Sequence, residues 1–125
     1  MRKPTNPFAQ KRPSQPKAYK PPPTRDRLAE QTLGRAISDK AVVALTYDGA
    51  IRTFAPHVVW ETVEGNVVVY GIQTSSSDPL SKNGSHNFTV AKMQNLRLTG
   101  DHFTKDPAFD TGKYRDRVLY IIRGL

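Results

Sequence analysis

"AVVALTYDGAIRTFAPHVVW", residues 41 to 60, decides the fold. Its first seven residues, Ala41 to Tyr47, are apolar and rich in β-branched side chains, which pack better on a pleated strand than on a helix. Asp48-Gly49 follows, a pair suited to the two-residue turn of a hairpin. A second extended run, "AIRTFAPHVVWETV", then covers Ala50 to Val63. Pro56 stands in its middle, and a residue with no N–H to give to a ladder demands a bend, a bulge or an edge there.

Upstream, "RLAEQTLGRAISD" (Arg27 to Asp39) sets Leu28, Thr32, Leu33, Ala36 and Ile37 at helical spacing behind an Asp26 suited to capping the first turn. Downstream, Glu64-Gly65-Asn66 supplies a turn and "VVVYGIQT" (Val67 to Thr74) a third strand. The polar run from Ser75 to Ser85 reads as a surface loop, and "HNFTV" (His86 to Val90) and "QNLRLT" (Gln94 to Thr99) as two short strands with Lys92 and Met93 between them. Near the C-terminus, Val118, Leu119, Ile121 and Ile122 suit either a helix or a last strand. The β-rich "VLYII" favours a strand or extended segment packed on the rest. One short N-terminal helix and five short strands predict a mainly β domain over residues 26–125, a small, strongly bent antiparallel barrel.

Charge divides the chain. The formal net charge is +8, yet Met1 to Arg25 holds seven Lys/Arg and no acid, against 12 Lys/Arg and 11 Asp/Glu from Asp26 onward. Seven of the ten prolines precede Thr24, so residues 1–25 are expected to form a disordered basic arm. Its Lys11, Arg12, Lys17 and Lys20, interleaved with Phe8 and Tyr19, suit contacts to a phosphate backbone; a solubilising arm or a linker is the alternative.

Several function classes drop out. With no cysteine there is no disulfide framework and no thiolate metal site, which suits a reducing cytoplasm. No apolar run follows Arg2 and Lys3 as a signal peptide requires, and none approaches the roughly 20 residues of a membrane span, so a soluble protein without a membrane partner is expected. The sequons at Asn83 and Asn87 then read as chance matches. There is no Gly-rich phosphate loop, no metal-ligand spacing and no nucleophile elbow, and Glu61 with Glu64 is an ordinary solvated pair near a turn. No enzyme activity, metal or cofactor is expected.

Residues 36–60, together with "NFTVAKMQNLRLTGDHF" (Asn87 to Phe103), resemble the WYL domain over about residues 36–109. Tyr47 matches the aromatic that ends that family's first strand, and Arg52 and Pro56 match its arginine before a proline. His86 to Met93 stands at the family's closing pattern. Phe88, Val90 and Met93 keep the apolar frame, and His86 and Lys92 keep two of three basic positions, but Thr89 is neutral and Ala91 loses the acid. Val67, Val68 and Val69 replace the Trp-Tyr-Leu that names the family, leaving Tyr70 as the aromatic on that strand.

The resemblance implies an Sm-like barrel and, from the family's bacterial regulators, a nucleic-acid or nucleotide-type ligand held by Tyr47, Arg52, Tyr70, His86 and Lys92. Arginine offers a fork, lysine a point charge and tyrosine a stacking face. Each has a plainer reading. Lys92 can mark a turn; Arg52 can be a solvated strand residue or a partner of Asp48 or Glu61; His86 and His57 can be satisfied locally; Trp60 can be core or rim, and Arg97 can face outward. With no helix-turn-helix in these 125 residues, the expected role is a binding and regulatory module acting on nucleic acid or through a partner chain. The rival is an interaction module that assembles with itself or another protein through edge strands.

Overall fold

A computed structural model describes residues 24–124. The expected disorder of the arm over residues 1–23, with Lys11, Arg12, Lys17 and Lys20, lies outside the described residues. Arg25, counted with the arm above, forms an ion pair with the buried Glu30 at 2.6 Å.

Helix α1 spans Arg27–Asp39, and the Asp26 carboxylate accepts from Ala29 N at 3.0 Å, satisfying one of the amides that a helix start leaves without a partner. It ends at Lys40, which adopts the left-handed conformation and sends its N–H back to the last turn. Leu28, placed on the inner face by its spacing, is instead 74% exposed. The buried face is centred on Leu33 and includes Ala29, Glu30, Ala36 and Ile37, with Glu30 paired to Arg25.

Six antiparallel strands follow in one sheet: β1 (Ala41–Tyr47), β2 (Ala50–Glu61), β3 (Val67–Ser76), β4 (Gly84–Thr89), β5 (Gln94–His102) and β6 (Val118–Ile121). The order is β4-β3-β2-β1-β5, with β6 added to β2, and the sheet is not closed by a ladder between β4 and β5 among the described residues. The sequence led to five strands; the sixth is the C-terminal "VLYI". At the β1–β2 turn both Asp48 (φ 51) and Gly49 (φ 77) have positive φ, as a hairpin whose twist matches its strands requires.

Pro56 is accommodated by a change of neighbour. Up to Phe54, β2 pairs with β1; from Val58 to Trp60 the same edge pairs with β6. Pro56 falls in the gap between the two ladders, where no partner asks for its missing N–H. On the other edge, β2 keeps β3 throughout but shifts register between Pro56 and Val58, a bulge that bends the strand. The core collects Leu33 and Ile37 of α1 with Val43, Leu45, Phe54, Val59, Val69, Phe88, Val90 and Ile122, all essentially buried. Each large aliphatic or aromatic side chain so buried contributes about 1.5–3 kcal/mol.

The opposite face of β2 and β3 is covered by the segment that leads to β6. Tyr70 stacks on Phe109 at 5.7 Å, Phe109 on Tyr114 at 5.6 Å, and Trp60 meets Tyr114 at 5.2 Å. His57, wholly buried, ties this segment down: its Nδ1–H donates to Ala55 O at 2.9 Å, and its Nε2 accepts from Asp106 N at 3.0 Å. Burial holds its pKa below the ordinary 6.5, and the Asp106 bond itself requires a neutral Nε2. No helix among the described residues is long and apolar enough to cross a membrane.

Candidate anion-binding site

Alternation along β1 and β2 puts Tyr47, Leu45 and Val43 on the same face as Arg52 and Phe54, and that face is the core. Arg52 is therefore no solvated strand residue: it is 7% exposed. Nor does it pair with Asp48 or Glu61. Its Nε and Nη2 both donate to Tyr47 O, at 3.2 and 3.1 Å, and its Nη1 donates to Gln73 Oε1 at 2.9 Å and to Ser81 Oγ at 3.0 Å. Every acceptor is neutral, and among the described residues Arg52 has no ion-pair partner.

Aromatic rings surround the guanidinium. Its Cζ lies 5.5 Å from the Phe88 ring centre and 6.0 Å from that of Tyr47, within range of a cation–π attraction. Tyr47 packs on Phe88 at 4.6 Å while its hydroxyl accepts from Thr89 N at 3.0 Å, fixing β1 to the end of β4. His86 is half-buried, stacks on Phe88 at 5.6 Å and donates from Nε2 to Lys82 O at 2.6 Å. The same carbonyl accepts from Gln73 Nε2 at 3.2 Å, so Arg52, Gln73, Lys82 O and His86 form one connected network.

The structure thus brings together Tyr47, Arg52 and His86 of the expected set. Tyr70 does not join them. On β3 the inward positions are Val67, Val69, Gly71 and Gln73, and Tyr70, one residue out of that parity, lies in the Phe109 and Tyr114 stack on the other face. Lys92 ends a 3-10 turn, Val90–Lys92, and is exposed. It stands between two ties to the same end of β1, Thr89 to Tyr47 before it and Gln94 opposite Thr46 after it, so it shares the site's end of the sheet from outside the network. Trp60 is half-buried against Tyr114, and Arg97 is exposed, donating to Asn95 O.

Two members of the network escaped the sequence reading. Gln73 is wholly buried, and its signal was its parity with Val67 and Val69, a polar residue at a core position. Ser81 had no such signal, because a loop residue acquires its partners only when the chain folds back. Chemically, the arrangement is a guanidinium without a counter-ion among the described residues, flanked by rings and an amide, a setting for an anion attached to a flat group. Neither a known family's sequence model, nor a curated protein, nor a solved structure matches this chain.

Proposed function

We propose that this protein is a non-catalytic cytoplasmic module that binds nucleic acid or a nucleotide-type anion, with a phosphate-bearing group at Arg52, and acts in regulation. One observation carries the reading: Arg52, 7% exposed, meets only neutral acceptors among the described residues and lies beside the Tyr47 and Phe88 rings, with His86 stacked on Phe88. Burying an unpaired charge costs several kcal/mol, and a bound anion offsets that cost. The net charge of +8 favours approach by any polyanion.

The connection from β4 to β5 supports the Sm-like form of the sheet. These are its outer strands, and five strands laid flat would hold them about 19 Å apart. Yet only Val90 to Met93 join them, mostly as a 3-10 turn that rises about 2 Å per residue. Such a link is too short for a flat sheet, which supports strands curled toward a barrel, with Tyr47, Arg52 and His86 toward one end of it.

Fluorescence anisotropy with a short labelled single-stranded RNA, and with the same sequence as DNA, tests the reading. Arg52→Lys keeps the charge but loses the fork, and affinity should fall about 10- to 150-fold. Unchanged affinity in a variant that melts like the parent sinks the proposal.

A second reading, self-assembly, is favoured by the outer strands. β5 is exposed along nearly its whole length, and neither β4 nor β5 has an outer partner among the described residues. Size-exclusion chromatography at low and high salt separates the two readings. Material absorbing at 260 nm that leaves in high salt supports binding, and a salt-resistant oligomer free of it supports assembly.

A further inference from the structure

We propose that the Ser81 hydroxyl is a built-in occupant of the anion position, so that a ligand binds Arg52 by displacing Ser81 and lifting the 77–83 loop. This inference rests on the anion-binding reading above and names how that site is gated.

Arg52 has one N–H to spare. A guanidinium has five N–H groups. Nε and Nη2 spend one each on Tyr47 O, and Nη1 spends its two on Gln73 Oε1 and Ser81 Oγ. One Nη2 N–H is left, and a single donor does not make the two-pronged grip that a phosphate oxygen pair takes from arginine. A second donor on the Nη1–Nη2 edge must come from Nη1, hence from Gln73 or Ser81.

The two differ in their freedom to leave. Gln73 is a wholly buried β3 residue, paired with Phe54 on one side and Gly84 on the other. Ser81 is half-buried on a loop whose neighbours Leu80 and Lys82 are exposed, Leu80 to 88%. Besides Ser81 Oγ, the loop is held by its own short-range bonds, Ser81 N to Asp78 O at 3.0 Å and Leu80 N to Asp78 Oδ1 at 2.9 Å, and by Lys82 O, which accepts from Gln73 Nε2 at 3.2 Å and from His86 Nε2 at 2.6 Å. At one end Ser77 N is pinned to Ile51 O at 2.8 Å; at the other stands Gly84 with φ 123, a conformation that other residues rarely adopt.

The contacts that Ser81 itself makes with the network are the ones that an entering anion would replace. Ser81 Oγ accepts from both Arg52 Nη1 and Gln73 Nε2, at 3.0 and 3.1 Å. A phosphate oxygen in the same place would accept from the same two donors and bring the charge that a hydroxyl lacks. At Ser81, binding therefore exchanges two hydrogen bonds to a neutral hydroxyl for two to an anion, and the strength of the Ser81 contacts, with that of the Lys82 O bonds broken as the loop lifts, sets how much affinity is withheld.

Calorimetric titration of the full chain with inorganic phosphate and with adenosine monophosphate, alongside thermal melts, tests the gate. Ser81→Ala removes the competitor, and phosphate should bind about 2- to 10-fold tighter. Ser81→Asp supplies a tethered anion, so phosphate binding should vanish while the melting temperature rises above the parent's and stops responding to phosphate. Unchanged or weaker binding by Ser81→Ala overturns the gate, since Ser81 would then be a bystander or a ligand contact. If Arg52→Lys abolishes binding in that case, the anion-binding reading survives without the gate. If Arg52→Lys binds as the parent does, or if neither the parent nor Ser81→Ala binds either probe, both fall.

Discussion

Pro56 faces Gly71 across β2 and β3 at the point where β2 exchanges β1 for β6. A Cβ placed on Gly71 would lie 2.7 Å from Phe54 Cζ and would also meet the Ala55 backbone. The strand that turns at Pro56 thus needs a partner with no side chain. Gly71→Ala should destabilise the fold by about 3 kcal/mol, the upper end for overpacking, because backbone cannot move aside as a flexible side chain can. Urea unfolding measures it, and a loss under about 1 kcal/mol would mean that the two strands separate easily at this point.

His57 makes stability depend on pH. Burial lowers its folded pKa below the ordinary 6.5, so the unfolded chain takes up a proton first as pH falls. The stability that His57 provides is full above 6.5 and is lost as pH falls from there through the lowered folded value, at up to about 1.4 kcal/mol per pH unit. Denaturant titrations at closely spaced pH values should show this slope, and His57→Gln should be less stable at neutral pH yet flatter. The same slope in both proteins would assign the effect to other groups.

Lys92 is exposed, with no hydrogen bond or ion pair to the described residues. Lys92→Met should change unfolding free energy by less than about 0.5 kcal/mol. Under the proposed function it should weaken oligonucleotide binding less than Arg52→Lys does, reducing the log-log salt slope by about 0.7, one phosphate contact on a single strand. Lys105→Met is the control, since Lys105 lies near His57 on the opposite face. Equal small effects from Lys92→Met and Lys105→Met would make Lys92 ordinary surface charge.

The basic arm should contribute separately. If Lys11, Arg12, Lys17 and Lys20 each meet a phosphate, they account for a slope of about −3, and replacing all four with glutamine should flatten it by that amount while leaving the effect of Arg52→Lys intact. An unaltered slope would make the arm a spacer.

Local features sufficed for the elements. The capping Asp26, the β-branched run from Ala41, the Asp48-Gly49 turn and the proline at 56 each act over a few residues, so the sequence by itself determined one helix, its hairpin and the place where the second strand must bend. It also determined a charge split at residue 25 and a chain without cysteine. The tertiary structure decided which faces meet. Tyr70 was separated from Arg52 by parity on β3, Leu28 was left outside while Glu30 was buried against Arg25, and "VLYI" became a sixth strand because β2 had an edge to offer after Pro56. Arg52 shows the difference most directly. Its position beside a turn is written in the sequence, but its neutral acceptors include Gln73 and Ser81, 21 and 29 residues away. Contacts over such separations come from strand register and loop closure, which no short window of sequence specifies.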